Sequence, residues 1–205
     1  MVKPIVLILF IVLLPFTGFS QIKDKRYFDA GLFAGGSYYI GDINPNKHFQ
    51  NTQLAGGALV RYNFNHRSAL RLGFTMGNIK ADDSRSSSKW QKQRNLQFES
   101  PVQELALLFE FNFLDFMIGG EGSQRFSPFI FFGLGGYRFN PEAELNNDNI
   151  SLQSLGTEGQ ELEGGASSEK YKRIQAAIPL GIGAKAALGK LFCVGVEWGM
   201  RKTFT

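Results

Sequence analysis

Two histidines, one cysteine and a scatter of aspartates are the residues in this 205-residue chain that could do chemistry. His48 and His66 could each serve as the base of a His/Ser pair, as in a lipid-modifying enzyme. The sequence places them at opposite ends of predicted strands, His66 in a tight turn, so they are expected to be solvated rather than to share a site. Cys193 lies in an apolar alternating run and is expected to be a small inert thiol. One cysteine cannot close an intramolecular disulfide, and with two histidines it makes a Cys/His zinc site improbable on numbers alone. Gly181-Ile182-Gly183-Ala184-Lys185-Ala186 matches a dinucleotide fingerprint in form, but it sits inside a strand pattern with no helix after it. Gly189-Lys190 lacks the earlier glycine of a phosphate loop and has Leu191 where Ser or Thr is needed. Asp42 and Asp82-Asp83 are too few converging ligands for a cation. Lys80, Arg85, Lys89, Lys92 and Arg94 form a basic stretch, but Asp82 and Asp83 lie within it. It is expected to be a solvated loop, or one that meets anionic sugar headgroups, and not a nucleic-acid site. No catalytic residue, cofactor, metal or nucleic-acid partner is therefore expected.

The charges that remain sit on strands. After Lys23 to Arg26 the apolar residues alternate with period two, and no helical spacing is sustained. Strands are predicted near Tyr27–Ile40, Leu54–Phe64, Ala69–Asn78, Leu96–Phe113, Pro128–Phe139, Tyr171–Leu188 and Phe192–Arg201. In each, one face is apolar: Leu105, Leu107, Phe109, Phe111 and Phe113, for example. The other face carries glycines and isolated charges, such as Glu104, Ala106, Leu108, Glu110 and Asn112. A sparse, Gly-rich, intermittently charged face suits the narrow lumen of a small barrel, where small residues make room for a few large ones. A soluble sandwich would instead solvate a mixed polar face. Buried charges must pair. Arg61, Arg71 and Glu110 are expected to form one internal cluster, and Glu104, Lys185, Glu197 and Arg201 a second.

Short connections (Asn65 to Ser68, Asp115 to Phe126, Leu188 to Leu191) take turns with long polar ones (Gly41 to Thr52, Lys80 to Asn95, Asn140 to Lys170). Short turns at one rim and long loops at the other mark outer-membrane barrels. Residues 1–20 read as a secretory signal peptide: Lys3, an apolar run from Ile5 to Phe16, and Gly18-Phe19-Ser20 before a cut. The barrel domain is then 21–205, in the outer membrane of a Gram-negative bacterium. The mean hydropathy of −0.12 excludes a helical membrane bundle and leaves a barrel open. Bacterial single-chain barrels have an even number of strands, so with seven predicted either a strand is miscounted or, the reading favoured here, a closing strand is expected beyond this sequence. The fold class expected is all-β, a small antiparallel transmembrane barrel of the eight-strand OmpA-like type.

Several stretches carry a family resemblance. Tyr39-Ile40-Gly41-Asp42-Ile43-Asn44-Pro45, Arg61-Tyr62-Asn63-Phe64-Asn65, Glu110-Phe111-Asn112-Phe113 and Phe139-Asn140-Pro141 close strands. Leu155-Gly156-Thr157-Glu158-Gly159-Gln160 lies in the long loop, and Glu197-Trp198-Gly199-Met200-Arg201-Lys202-Thr203-Phe204-Thr205 ends the sequence. Together these resemble the PorG-like outer-membrane proteins of the type IX secretion system. The resemblance implies a non-enzymatic barrel in outer-membrane lipid that anchors or assembles a secretion complex. It also implies contact with periplasmic ring proteins of the PorK/PorN type. A stand-alone OmpA-type barrel for envelope integrity or small-solute passage is the alternative.

Overall fold

The computed structural model describes residues 26–44, 47–85, 88–119, 124–145, 148–155 and 172–204. The predicted signal peptide and residues 156–160 of the Leu-Gly-Thr-Glu-Gly-Gln loop lie outside them; Leu155 ends a short helix, Leu152–Leu155. The strands are β1 Tyr27–Ser37, β2 Gln53–Asn63, β3 Ser68–Asp82, β4 Gln97–Asn112, β5 Phe126–Phe139, β6 Glu142–Leu145, β7 Asp148–Ser151, β8 Ile174–Leu188 and β9 Phe192–Thr203. They form one antiparallel sheet in the order β1-β2-β3-β4-β5-β8-β9, curled into a half-barrel of about seven strands. The fold is all-β, as the alternating pattern predicts.

Neighbouring strands alternate in direction, so β1 and β9 point the same way. They do not pair with each other, and each is an open edge among the described residues. A side-chain link reaches across this seam: Trp198 Nε1–H donates to Tyr38 Oη at 3.0 Å.

The period-two faces fall out as inside and outside. On β4, Glu104, Ala106, Leu108, Glu110 and Asn112 are buried, while Leu105 and Leu107 are more than half or about half exposed. The outward residues of the other strands follow suit, with Leu32, Leu72, Leu134, Ile182 and Val196 all exposed. The distribution is inverted relative to a water-soluble domain. The largest side chains that are fully buried include Glu110, Asn63 and Asn112.

An apolar cluster of Ala106, Leu108, Phe129 and Phe131 packs inside. Room for the two rings comes from glycine opposite them. A Cβ on Gly183 would lie 2.4 Å from Phe129 Cζ, and one on Gly181 would lie 2.5 Å from Phe131 Cζ. The β5–β8 ladder breaks between Phe132↔Leu180 and Gly135↔Ala177. Pro179 sits in that interval and has no N–H to give.

The rims differ in length, as the loop pattern predicts, and in content. The loop read from Asn140 to Lys170 includes the β6–β7 hairpin, which pairs with β4 through Glu99↔Glu142. β3 continues past the predicted Asn78 to pair Asp82 with Gln97 at the start of β4, because Ile79 and Ala81 extend the inward face. The polar stretch after β3 folds into a short turn, Asp83–Arg85, and a one-and-a-half-turn helix, Lys89–Arg94. Six residues are too few for helical periodicity to register in the sequence.

Candidate functional site

Inside the lower half of the half-barrel, β4 presents Glu110, 0% exposed, to three cations on three other strands. Lys185 Nζ on β8 donates to Glu110 Oε1. Arg61 Nε on β2 lies 3.2 Å from Glu110 Oε2, close enough for an ion pair though not aligned as a hydrogen bond. Arg71 Nη1 on β3 lies 3.7 Å from the same oxygen. Two of the cations have a second anion. Arg61 Nη1 donates to Asp29 Oδ1 at 3.1 Å, and Arg71 Nη1 donates to Glu197 Oε2 at 2.7 Å. Asn63 Nδ2 donates to the other Asp29 oxygen at 2.7 Å. Higher up, Arg201 donates to Glu104 from Nε and Nη2, each at 3.2 Å to its nearer partner.

Aromatic rings form the walls. Arg71 sits 4.7 Å from the Phe131 centroid, and Lys185 sits 4.9 Å from Phe116 and 5.2 Å from Phe129. Negative ring faces and low dielectric strengthen the hold on these cations. Phe116 is the floor. It belongs to the β4–β5 connection, is 2% exposed, and is fixed by its N–H donating to the His66 carbonyl at 3.1 Å. Asp115 beside it pairs with Arg67 Nε at 2.5 Å, tying this connection to the β2–β3 turn.

The arrangement neutralises itself: Asp29, Glu104, Glu110 and Glu197 face Arg61, Arg71, Lys185 and Arg201. Its chemistry is cross-bracing, because every charged end is spent on another. The space among Arg71, Glu104, Glu197 and Arg201 amounts to about 20 Å³, room for a single water-sized sphere.

The structure gathers Arg61, Arg71 and Glu110, and it pairs Glu104 with Arg201. The expected division into two sets does not hold at Lys185 and Glu197, which reach Glu110 and Arg71 instead. Lys185 is in register with Ser127, four residues along β5 from Phe131, the partner of Glu110. Strands of a curled sheet tilt, so groups at one height across the lumen are offset in ladder register. Asp29 and Phe116 are members of this network that sequence reasoning missed. Asp29 shares the glycine face of β1 with Gly31 and Gly35, which is the signal that could have found it. Phe116 sits in a turn, where periodicity says nothing.

The other residues with chemical potential are dispersed. His48 lies past β1, with Nδ1 3.2 Å from Tyr38 Oη, and His66 lies in the β2–β3 turn at the opposite rim. Cys193 is half-buried near the start of β9. Gly181 to Ala186 is the middle of β8, and Gly189 is a turn residue with φ 78°. Among the described residues, no three His, Cys, Asp or Glu side chains gather to hold a metal, and no helix is long and apolar enough to cross a membrane.

The fold and its interior define a class: a small antiparallel half-barrel, apolar outside and cross-braced by charge within. The chain belongs to the family described as Domain of unknown function (DUF6089), whose model matches residues 3–205. Neither the curated proteins nor the solved structures give a match.

Proposed function

We propose that this protein is an outer-membrane β-barrel with a structural role, an anchor or assembly component of a type IX protein secretion complex. The membrane part rests on one observation, the outward apolar belt over an interior of paired charges. Leu32, Leu54, Leu105, Leu134, Ile182 and Val196 stand between 56% and 88% exposed. An apolar surface this extensive is stable in lipid and adhesive in water. Aromatic side chains collect near the short-turn rim, with Phe28 against Tyr62 and Tyr62 against Phe64, as interfacial girdles do. The strands, 11 to 16 residues in the main path, suffice to cross a tilted bilayer.

The secretion part rests on the family resemblance of the strand-closing motifs. In that role the short-turn rim faces the periplasm and meets ring proteins of the PorK/PorN type. The test has two arms. Sucrose-gradient fractionation of cells expressing the full gene should find the protein with the outer membrane, and recovery in the soluble fraction would overturn the membrane role. Deletion of the gene should stop export of cargo proteins. Intact export with a leaky envelope would favour the stand-alone barrel instead.

A further inference from the structure

We propose that a groove on the outer face, where β3 and β4 meet the β6–β7 hairpin, binds a lipid headgroup that carries a primary ammonium beside a phosphate, of the phosphoethanolamine type. The proposal deepens the membrane reading above, because the groove opens onto the apolar belt. The headgroup chemistry follows from the charges of the groove alone. Its volume is about 260 Å³, and its lining includes Asn78, Lys80, Gln97, Glu99, Pro101 and Glu142.

One row of side chains carries the recognition. Glu99 is the ladder partner of Lys80 on one side and of Glu142 on the other. Direct partners in antiparallel strands share a face, so one ammonium and two carboxylates stand in line across three strands. Carboxylates directly opposite each other repel, and a cation between them relieves the repulsion. Glu142 Oε1 accepts from Asn140 Nδ2 at 2.6 Å. Arg173 is spent on Gln153 and Ser151, to which it donates at 2.6 and 3.4 Å. Lys80 Nζ lies 3.7 Å from Glu99 Oε2, an ion pair longer than a hydrogen bond. The two carboxylates therefore have room for a second cation, and Lys80 has donors left for an anion.

The phosphoethanolamine group answers both needs at the right spacing. An ammonium between Glu99 and Glu142 donates to both, since the Cβ atoms of facing residues are only about 5 Å apart. Its phosphate, a two-carbon link away, then falls toward Lys80, one strand spacing of about 4.8 Å to the side. A choline headgroup has the same charges but no N–H to donate, so the carboxylates favour the primary ammonium. A divalent metal fits less well, because it asks for about six oxygen ligands and Lys80 beside Glu99 repels it.

Position selects a lipid over a free phosphoamine. Toward the long-loop rim, the outward pairs of β3 and β4 run Phe74–Leu105, Met76–Gln103, Asn78–Pro101 and Lys80–Glu99. Phe74, Met76 and Leu105 are exposed members of the apolar belt. Asn78 and Pro101 are thus the first outward pair past that belt, where hydrocarbon gives way to headgroups. Acyl chains of a lipid held in the groove run down over Met76, Phe74 and Leu105.

The test is native mass spectrometry of the full chain from nonionic detergent. The protein is first incubated with equal amounts of phosphatidylethanolamine, phosphatidylcholine and phosphatidylglycerol. Phosphatidylethanolamine adducts should exceed each of the others by at least about fivefold. Glu99→Gln/Glu142→Gln should abolish that preference, and Lys80→Gln should weaken retention of phosphatidylethanolamine severalfold. Unchanged circular dichroism melts would show that these surface variants fold, and the preference of the unaltered chain is a test in itself. No retained lipid, equal retention of the three, or a preference for phosphatidylglycerol would overturn the proposal. So would a preference that survives the double glutamine variant, or one that a metal chelator removes. A protein that fractionates as soluble yet selects phosphatidylethanolamine would refute the membrane role and leave this site standing. One that fractionates with the outer membrane and retains no lipid would do the reverse.

Discussion

Replacing Glu110 with Gln removes the anion on which three cations converge, and the structure says where the loss falls. Arg61 keeps Asp29, and Arg71 keeps Glu197. Lys185 is left with the Phe116 and Phe129 rings and no other carboxylate within ion-pair distance among the described residues. Its side chain is 3% exposed, so water cannot replace the lost partner. Breaking a buried pair by removing one member costs about 3–5 kcal/mol, roughly a hundredfold to a few thousandfold in the folded-to-unfolded ratio. Removing both charges while keeping volume should recover most of that. Glu110→Gln is therefore expected to lower stability by about 3–5 kcal/mol. Adding Lys185→Met to it should recover at least about 2 kcal/mol. The assay is urea unfolding of the protein in detergent micelles, followed by tryptophan emission and far-ultraviolet circular dichroism together. If Glu110→Gln costs less than about 1 kcal/mol, or the double variant is as unstable as the sum of the singles, the cross-bracing account is wrong.

Three further outcomes follow from the same geometry. Gly181→Val forces a branched side chain into space where a Cβ alone would lie 2.4 Å from the Trp198 carbonyl oxygen and 2.5 Å from Phe131 Cζ. It should destabilise by about 1–3 kcal/mol, and Phe131→Leu in the same chain should restore part of that in thermal melts. Leu107→Lys places a charge in the middle of the apolar belt. It should reduce insertion into phospholipid vesicles by an amount equivalent to about 2–4 kcal/mol, read as loss of the heat-modifiable gel band. Asp83 is held below the usual carboxylate range chiefly because Arg94 donates to it. A depressed acid adds stability above its ordinary value, and that contribution fades as pH falls through the lowered one. The rim helix should therefore stay closed at neutral pH and loosen only in strong acid, a change that Trp90 emission would report. Asp83→Asn should show the loosened signal already at neutral pH.

The faces of the strands were legible because a side-chain period of two is unforgiving. A shift by one residue would have put Glu110 in the apolar belt and Phe109 among the arginines. Which charges meet was only partly legible. Arg61 and Arg71 are direct ladder partners on adjacent strands, and Arg71 is two residues, one step along the same face, from Ala69, the ladder partner of Glu110, so local reasoning reaches that group. Lys185 and Glu197 arrive from across the curl, and no count along one strand gives the tilt that sets their height. Asp29 was visible on the glycine face, but β1 had no second charge to draw attention to it. The strands of the β6–β7 hairpin are four residues each and the rim helix is six, all shorter than the window in which a period shows.

The long sequence spans inside the charge network have a consequence for the order of assembly. Hairpins such as β2–β3 and β8–β9 close over a few residues and can form early. The Arg71–Glu197 contact joins residues 126 apart, Arg201–Glu104 spans 97 and Lys185–Glu110 spans 75. None can form until the β8–β9 hairpin has swung over the β3–β4 pair. The braces are thus made late, after the wall has curled. A chain whose wall curls wrongly leaves Glu110 and Lys185 apart and unpaired, so the same charges that lock the finished shape penalise each unfinished one.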